Sequence, residues 1–331
     1  MRRAGFLALG LSALLSSLSP AAPAAAEPAG SLVLYTSQLE EDAARTSEAF
    51  RRHYPKVTVE WIRGGTNQIM PRLRAELAAG APRADVLLLA DSLTFEGLKQ
   101  EGLLRPSPEV GTGGVPAELI DTGRQYFGTK LMTTGIVMNT RAPFTPKRWS
   151  DLLRPEARGL TAMPSPSVSG AAAIHVQALA AAPGLGWEFW EKLAGAGVQP
   201  RGGNGAVMQA VASGERAFGM VVDYMPIREA AKGAPVRFIV PEDGVSAITE
   251  PAAILKSSRN PEAAIAFVTF LLSREGQELA AAQGFLPADP AVAPPAGFPD
   301  RKGLTLLPLD SARAAAESGQ DLKRFSGLVG Q

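Results

Sequence analysis

Two short stretches of this chain, Gly64-Gly65-Thr66 and Ser165-Pro166-Ser167-Val168-Ser169-Gly170, each stand between an extended segment and a helical one. The first N–H groups of a helix have no intrahelical partner, and with hydroxyls beside them they hold a negatively charged oxygen without a lysine. Gly65, Thr66, Ser167, Ser169 and Gly170 are therefore candidate donors to an anion. Ser37 closes the first apolar run and Ser92 follows Ala90-Asp91 at another, while Thr134 precedes Gly135 in a third. Each of these residues also has a purely structural use. Thr66, Ser169 and Ser92 are good helix caps, and threonine is a good strand residue.

A second constellation is Asp223, Tyr224 and Glu250. Asp223 ends an apolar strand, where a carboxylate either receives an ammonium or sugar hydroxyls or caps the helix that starts near Pro226. Tyr224 can pack over a solute, hydrogen-bond to it, or serve only the core. Glu250 precedes Pro251, which holds it extended. Carboxylates facing an anion grip favour a zwitterion or polyol phosphate over a bare dianion, which they would repel. Neither histidine, His53 or His175, sits in a catalytic motif. The chain has no G-x-S-x-G elbow, no H-E-x-x-H pair and no G-x-x-x-x-G-K-[ST] loop. It also has no cysteine, which excludes disulfides, thiolate catalysis and Cys-based metal sites. No catalytic residue, metal ligand or cofactor is assigned.

These residues are positioned by alternating strands and helices. Leu32–Tyr35 is a short apolar strand, and the acidic Glu40-Glu41-Asp42 opens a helix reaching about His53. Val57, Val59 and Trp61 alternate with polar residues, giving a strand over 57–62. Ile69, Leu73 and Leu77 recur every four residues, so an amphipathic helix follows Thr66, with Pro71 tolerated in its first turn. Further strands are expected at 85–90, 131–138, 217–222 and 236–240, and helices at 170–181, 187–193, 206–213, 261–272 and 311–323. The alternation predicts an α/β fold with mainly parallel sheets, whose ligands lie beyond the carboxyl ends of strands.

Arg2 and Arg3, the apolar run 4–18 and the small residues up to Ala26 read as an export signal over 1–26. Beyond it the chain is long enough for two domains. With 33 basic and 32 acidic residues, it shows no nucleic-acid surface and no polybasic membrane patch.

A family resemblance is carried by an ordered set of pieces spanning nearly the whole chain. They are Leu32-Val33-Leu34-Tyr35-Thr36-Ser37, Arg63-Gly64-Gly65-Thr66, Ala84-Asp85-Val86-Leu87, Gly203-Asn204-Gly205-Ala206-Val207, Asp223-Tyr224, Glu250-Pro251-Ala252-Ala253-Ile254 and Asn260-Pro261-Glu262-Ala263-Ala264. In this set the chain resembles the ABC-transporter solute-binding proteins of the ferric-iron type. The resemblance implies a type II periplasmic binding protein, with two α/β lobes of mainly parallel sheet joined by crossover strands near 128–134 and 237–241. The lobes it implies are 27–128 with 238–288, and 129–237 with 289–331. It further implies a periplasmic monomer that closes on a small solute and delivers it to an inner-membrane permease with its ATPase. The iron branch uses two adjacent tyrosines, whereas this chain has Val222-Asp223-Tyr224-Met225, with one. The phosphonate and sugar-phosphate branches fit better, with an anionic or zwitterionic solute such as 2-aminoethylphosphonate held by the residues named above. Ferric iron as cargo and an exported hydrolase are the alternatives.

Overall fold

The computed structural model describes residues 27–298 and 304–330, so the expected export signal lies outside the described residues. The strands are β1 (Gly30–Thr36), β2 (Val57–Arg63), β3 (Val86–Leu88), β4 (Phe127–Asn139), β5 (Thr161–Pro164), β6 (Gln199–Arg201), β7 (Phe218–Val222), β8 (Val236–Ile239), β9 (Ser246–Ile254) and β10 (Leu286–Pro287). The helices are α1 (Glu40–His53), α2 (Thr66–Ala78), α3 (Ser92–Gln100), α4 (Gly170–Ala181), α5 (Gly186–Gly195), α6 (Asn204–Ala212), α7 (Tyr224–Ala231), α8 (Pro261–Leu272), α9 (Arg274–Ala282) and α10 (Ser311–Val329).

The strands form one continuous sheet in the order β2-β1-β3-β9-β4-β7-β5-β6, with β8 and β10 also pairing to β4. Parallel triples sit at both ends, β2-β1-β3 and β7-β5-β6, and the antiparallel strands β9 and β4 join them. Each triple is the sheet of an α/β lobe, and period-two alternation sends its residues to cores on both faces. In β1, Leu32 and Leu34 pack with Phe50, Phe127 and Phe267, while Tyr35 packs on the other face with Ile69, Leu73 and Phe95. In β4, Ile136 and Met138 meet Trp149, Trp190 and Phe325, and Val137 meets Val207 and Val221 on the opposite face.

The strands shared by the two lobes are β4 and β9. β8, in the region where the second crossover was expected, pairs instead with Ile136–Asn139 at the far end of β4. β9 contains Pro251, which cannot donate to a ladder. The register of β4 against β9 slips between Gly128 and Leu131, leaving Thr129 and Lys130 opposite Glu250, next to the proline. Such a bulge bends the strand and re-aims its side chains. Here Thr129 Oγ1 donates to the Glu250 carbonyl at 2.6 Å, and Lys130 is brought onto the Glu250 carboxylate.

Candidate functional site

Between the lobes lies a cavity of about 160 Å³. Three helix starts reach it, those of α2 (Gly65, Thr66), α4 (Ser169, Gly170, Ala171) and α6 (Gly203, Asn204, Gly205). Each start carries roughly half a positive charge from the aligned peptide dipoles, together with N–H groups that the helix leaves free. Gly65 N–H itself is taken by Gln68 Oε1 at 3.1 Å, so α2 offers the amides of Thr66 and Asn67. The Ser169 hydroxyl accepts from Ala172 N–H at 3.3 Å and from Asn204 Nδ2 at 3.2 Å, tying the α4 start to the α6 start. Asn204 Oδ1 in turn accepts Val222 N–H at 3.2 Å.

The lobes meet closely around this cavity. An added Cβ on Gly65 would lie 2.2 Å from the Val168 carbonyl oxygen, and one on Gly170 would lie 2.3 Å from Asp91 Oδ2. Only glycine permits these approaches. Asn67 Nδ2 donates across the gap to the Pro166 carbonyl at 2.6 Å.

One wall is held by a buried polar network. Lys130 Nζ lies 2.7 Å from Glu250 Oε2, with both side chains almost wholly buried. Gln38 Nε2 donates to the same oxygen at 3.0 Å, and Ser37 Oγ lies 3.5 Å from Glu250 Oε1 while accepting Ala90 N–H at 3.0 Å. Arg63, exposed at the cavity, donates through Nε to the Gln38 carbonyl at 3.0 Å. Its two terminal amino groups have no protein partner among the described residues. Two cavity residues, Thr66 at 1% exposure and Gln38 at 2%, each bury a polar atom without a hydrogen-bond partner among the described residues, Oγ1 and Oε1 respectively. Further buried atoms of this kind occur elsewhere among the described residues, and these two are distinguished by belonging to residues that line the cavity.

Of the residues expected from sequence, Ser37, Gly65, Thr66, Ser169, Gly170, Tyr224 and Glu250 line the cavity. Ser92, Thr134, Ser167 and Asp223 do not. Ser92 is the first residue of α3, behind its cap Asp91, whose carboxylate accepts Thr94 N–H at 2.6 Å. Thr134 is held in the sheet between Val222 and Ser246, and Met132 reaches the cavity from that strand instead. Ser167 is exposed and bonded to Ser165 at 2.7 Å. Asp223 is the cap of α7, its carboxylate accepting Thr133 N–H at 2.8 Å, Thr133 Oγ1 at 2.7 Å and Tyr224 N–H at 2.7 Å. Burial pushes its carboxyl up to about 6 in spite of those donors. The Tyr224 contact caps the helix and the two from Thr133 tie the carboxylate to β4, so protein donors occupy both of its oxygens. His53 is an exposed partner of Glu275 at 2.6 Å. His175 is buried against Trp149, with Nδ1 2.9 Å from Ser246 Oγ and its pKa driven down to about 3 by burial.

Arg63, Gln38, Asn204 and Gly205 reach the cavity although nothing marked them as site residues in the sequence. Arg63 adjoins Gly64 and Gly203-Asn204-Gly205 follows an extended segment, so the reasoning that found the first two helix starts would also have reached the third. Gln38 carried no such signal.

Residues 32–286 match the sequence pattern of bacterial extracellular solute-binding proteins. The chain belongs to that family. Among solved structures, this solute-binding protein is similar to AfuA from Actinobacillus pleuropneumoniae with exogenous fructose-6-phosphate bound, at TM-score 0.81 and 22% identity over 90% of this chain and 98% of that one. It is likewise similar to the periplasmic binding protein P5PA, at TM-score 0.78 and 24% identity over 91% and 99%. Iron-bound HitA from Pseudomonas aeruginosa follows the same fold at TM-score 0.75 and 25% identity over 89% and 99%. An uncharacterized protein of Haemophilus influenzae is 27% identical over 297 residues, 84% of this chain and 83% of that protein. The ferric-binding-like group suggested by the sequence resemblance, with its sugar-phosphate and iron members, is thus the setting of this solute-binding protein. Among the described residues, no helix is long and apolar enough to cross a membrane.

Proposed function

We propose that this chain is the periplasmic solute-binding component of an ABC importer, capturing a small phosphonate or phosphorylated solute and passing it to a permease with its ATPase. The observation that carries this reading is the convergence of three helix starts, Arg63 and the unpartnered Thr66 hydroxyl on one cavity. That donor set suits the oxygens of a phosphorus oxyanion, and charge-assisted hydrogen bonds contribute roughly 1.5–3 kcal/mol each. Three or four of them approach the roughly 8 kcal/mol behind micromolar affinity. AfuA, with its bound fructose-6-phosphate, lends the reading support as a structural neighbour.

The iron reading, taken from the kinship with HitA, is less well supported by the residues present. Tyr224 is the tyrosine at this cavity, and burial, followed by the nearby Asp42 and Glu250 carboxylates, pushes its phenol up and away from the phenolate that ferric iron needs. A thermal-shift panel of 2-aminoethylphosphonate, hexose phosphates, inorganic phosphate and Fe³⁺ tests the proposal. Saturating ligand at a hundredfold excess over Kd stabilises by about 2.7 kcal/mol, which a melting curve resolves. A shift with Fe³⁺ and none with any phosphorus compound would reject the oxyanion reading. Turnover of a phosphoester in the same panel would instead make the protein an enzyme.

A further inference from the structure

We infer that Gln38 is a specificity-determining residue of this cavity, its Oε1 accepting a hydrogen bond from an O–H or N–H group that the solute carries beside its phosphorus oxyanion. The inference rests on the oxyanion reading above and narrows the solute class within it. Gln38 is 2% exposed and lines the cavity, and its Oε1 has no partner among the described residues. Which end of a glutamine amide faces a site is ordinarily open, because oxygen and nitrogen are told apart by their partners. Here the partners decide. Glu250 Oε2 offers only lone pairs, so the amide must turn Nε2 towards it, at 3.0 Å, which leaves Oε1 buried and without a partner among the described residues. The β4 bulge places Lys130 on that same carboxylate oxygen at 2.7 Å, compensating its charge. The backbone of Gln38 is held as well, its N–H on Thr36 Oγ1 at 3.1 Å and its carbonyl under Arg63 Nε at 3.0 Å. Lys130, Glu250 and Gln38 thus form a relay that holds the Gln38 amide oxygen as a fixed acceptor beside the cavity, next to the Glu250 carboxylate.

A solute made only of oxyanion and hydrocarbon would leave that acceptor unpaired, and sites built on a buried polar group discriminate strongly against such analogues.

The test is calorimetric titration of the full chain with three ligands of nearly equal size, namely ethylphosphonate, 2-hydroxyethylphosphonate and 2-aminoethylphosphonate. At least one of the donor-bearing pair should bind about ten- to a hundredfold tighter than ethylphosphonate. The member that binds tighter distinguishes a hydroxyl solute from an aminated one. Equal affinity for all three overturns the inference and leaves the oxyanion reading standing. If none of the three, no hexose phosphate and no inorganic phosphate binds, both fall. Gln38→Met should erase the preference, bringing the affinities for the three ligands to within about threefold of one another. A Gln38→Met protein that is folded yet keeps the full preference would assign the acceptor to Glu250 Oε1 and overturn the role given to Gln38. Should that variant not fold, the ligand series on the unaltered protein still decides.

Discussion

Thr66→Val should move binding and stability in opposite directions. Thr66 is buried and lines the cavity, and its hydroxyl has no hydrogen-bond partner among the described residues. A buried polar group left unpaired costs about 1–3 kcal/mol, whereas a hydrogen bond to a charged acceptor contributes about 1.5–3 kcal/mol. Valine keeps the shape and the β-branch at this first residue of α2 but removes the hydroxyl. Without solute the variant should therefore be as stable as the parent, or more stable by up to about 1 kcal/mol, a rise of about 2 °C in Tm for a chain of this size. With a phosphonate or sugar phosphate, Kd should weaken about ten- to a hundredfold. Thermal unfolding with and without ligand, paired with calorimetric titration, reads both quantities on the same sample. If Thr66→Val melts several degrees lower without solute, or binds within threefold of the parent, the hydroxyl serves the fold and the reasoning fails.

Other outcomes follow from the same geometry. Asp223→Asn should leave solute affinity within about twofold, because the carboxylate is committed to Thr133 and Tyr224; a tenfold loss in titration would return Asp223 to the site. Burial raises both Asp91 and Asp223 to about 6, so the folded chain holds their protons to higher pH than the unfolded chain does. Their contribution to stability is full below about pH 4 and is lost as pH rises through about 6. Urea unfolding across that window should show a shallower fall in Asp223→Asn than in the parent, and an unchanged slope would contradict the assignment. Arg228 bonds Asp42 at 3.2 Å and the Gln283 carbonyl, joining α7 to α1 and to the turn after α9. Arg228→Ala should cost about 3 kcal/mol by leaving the buried Asp42 carboxylate unpaired. Adding Asp42→Asn should recover much of that loss in a double-mutant cycle, and simple additivity would show the pair to be uncoupled. Titration with Fe³⁺ should give no visible charge-transfer band, and a band abolished by Tyr224→Phe would establish iron as cargo.

Local sequence signals placed several elements to the residue. Ser169 ahead of an alanine run fixes α4 at Gly170–Ala181, and Asn260-Pro261 fixes α8 at Pro261–Leu272, because capping and the missing proline N–H act on near neighbours. The same local logic located the helix starts at Thr66 and Gly170 and the α/β alternation around them. It could not read β9 as a strand, since Pro251 argues against one, and the bulge in β4 that accommodates it lies more than a hundred residues away. Nor could it show that Thr133 on a neighbouring strand donates twice to the Asp223 carboxylate. Lys130 and Gln38 meet on Glu250 only because the sheet brings β1, β4 and β9 together. Backbone donors at helix starts are a property of short sequence, whereas the partner of a buried charge is a property of the assembled sheet. So the sequence by itself determined where helix starts with free backbone donors stand, and the tertiary structure decided which side chains complete the cavity around them.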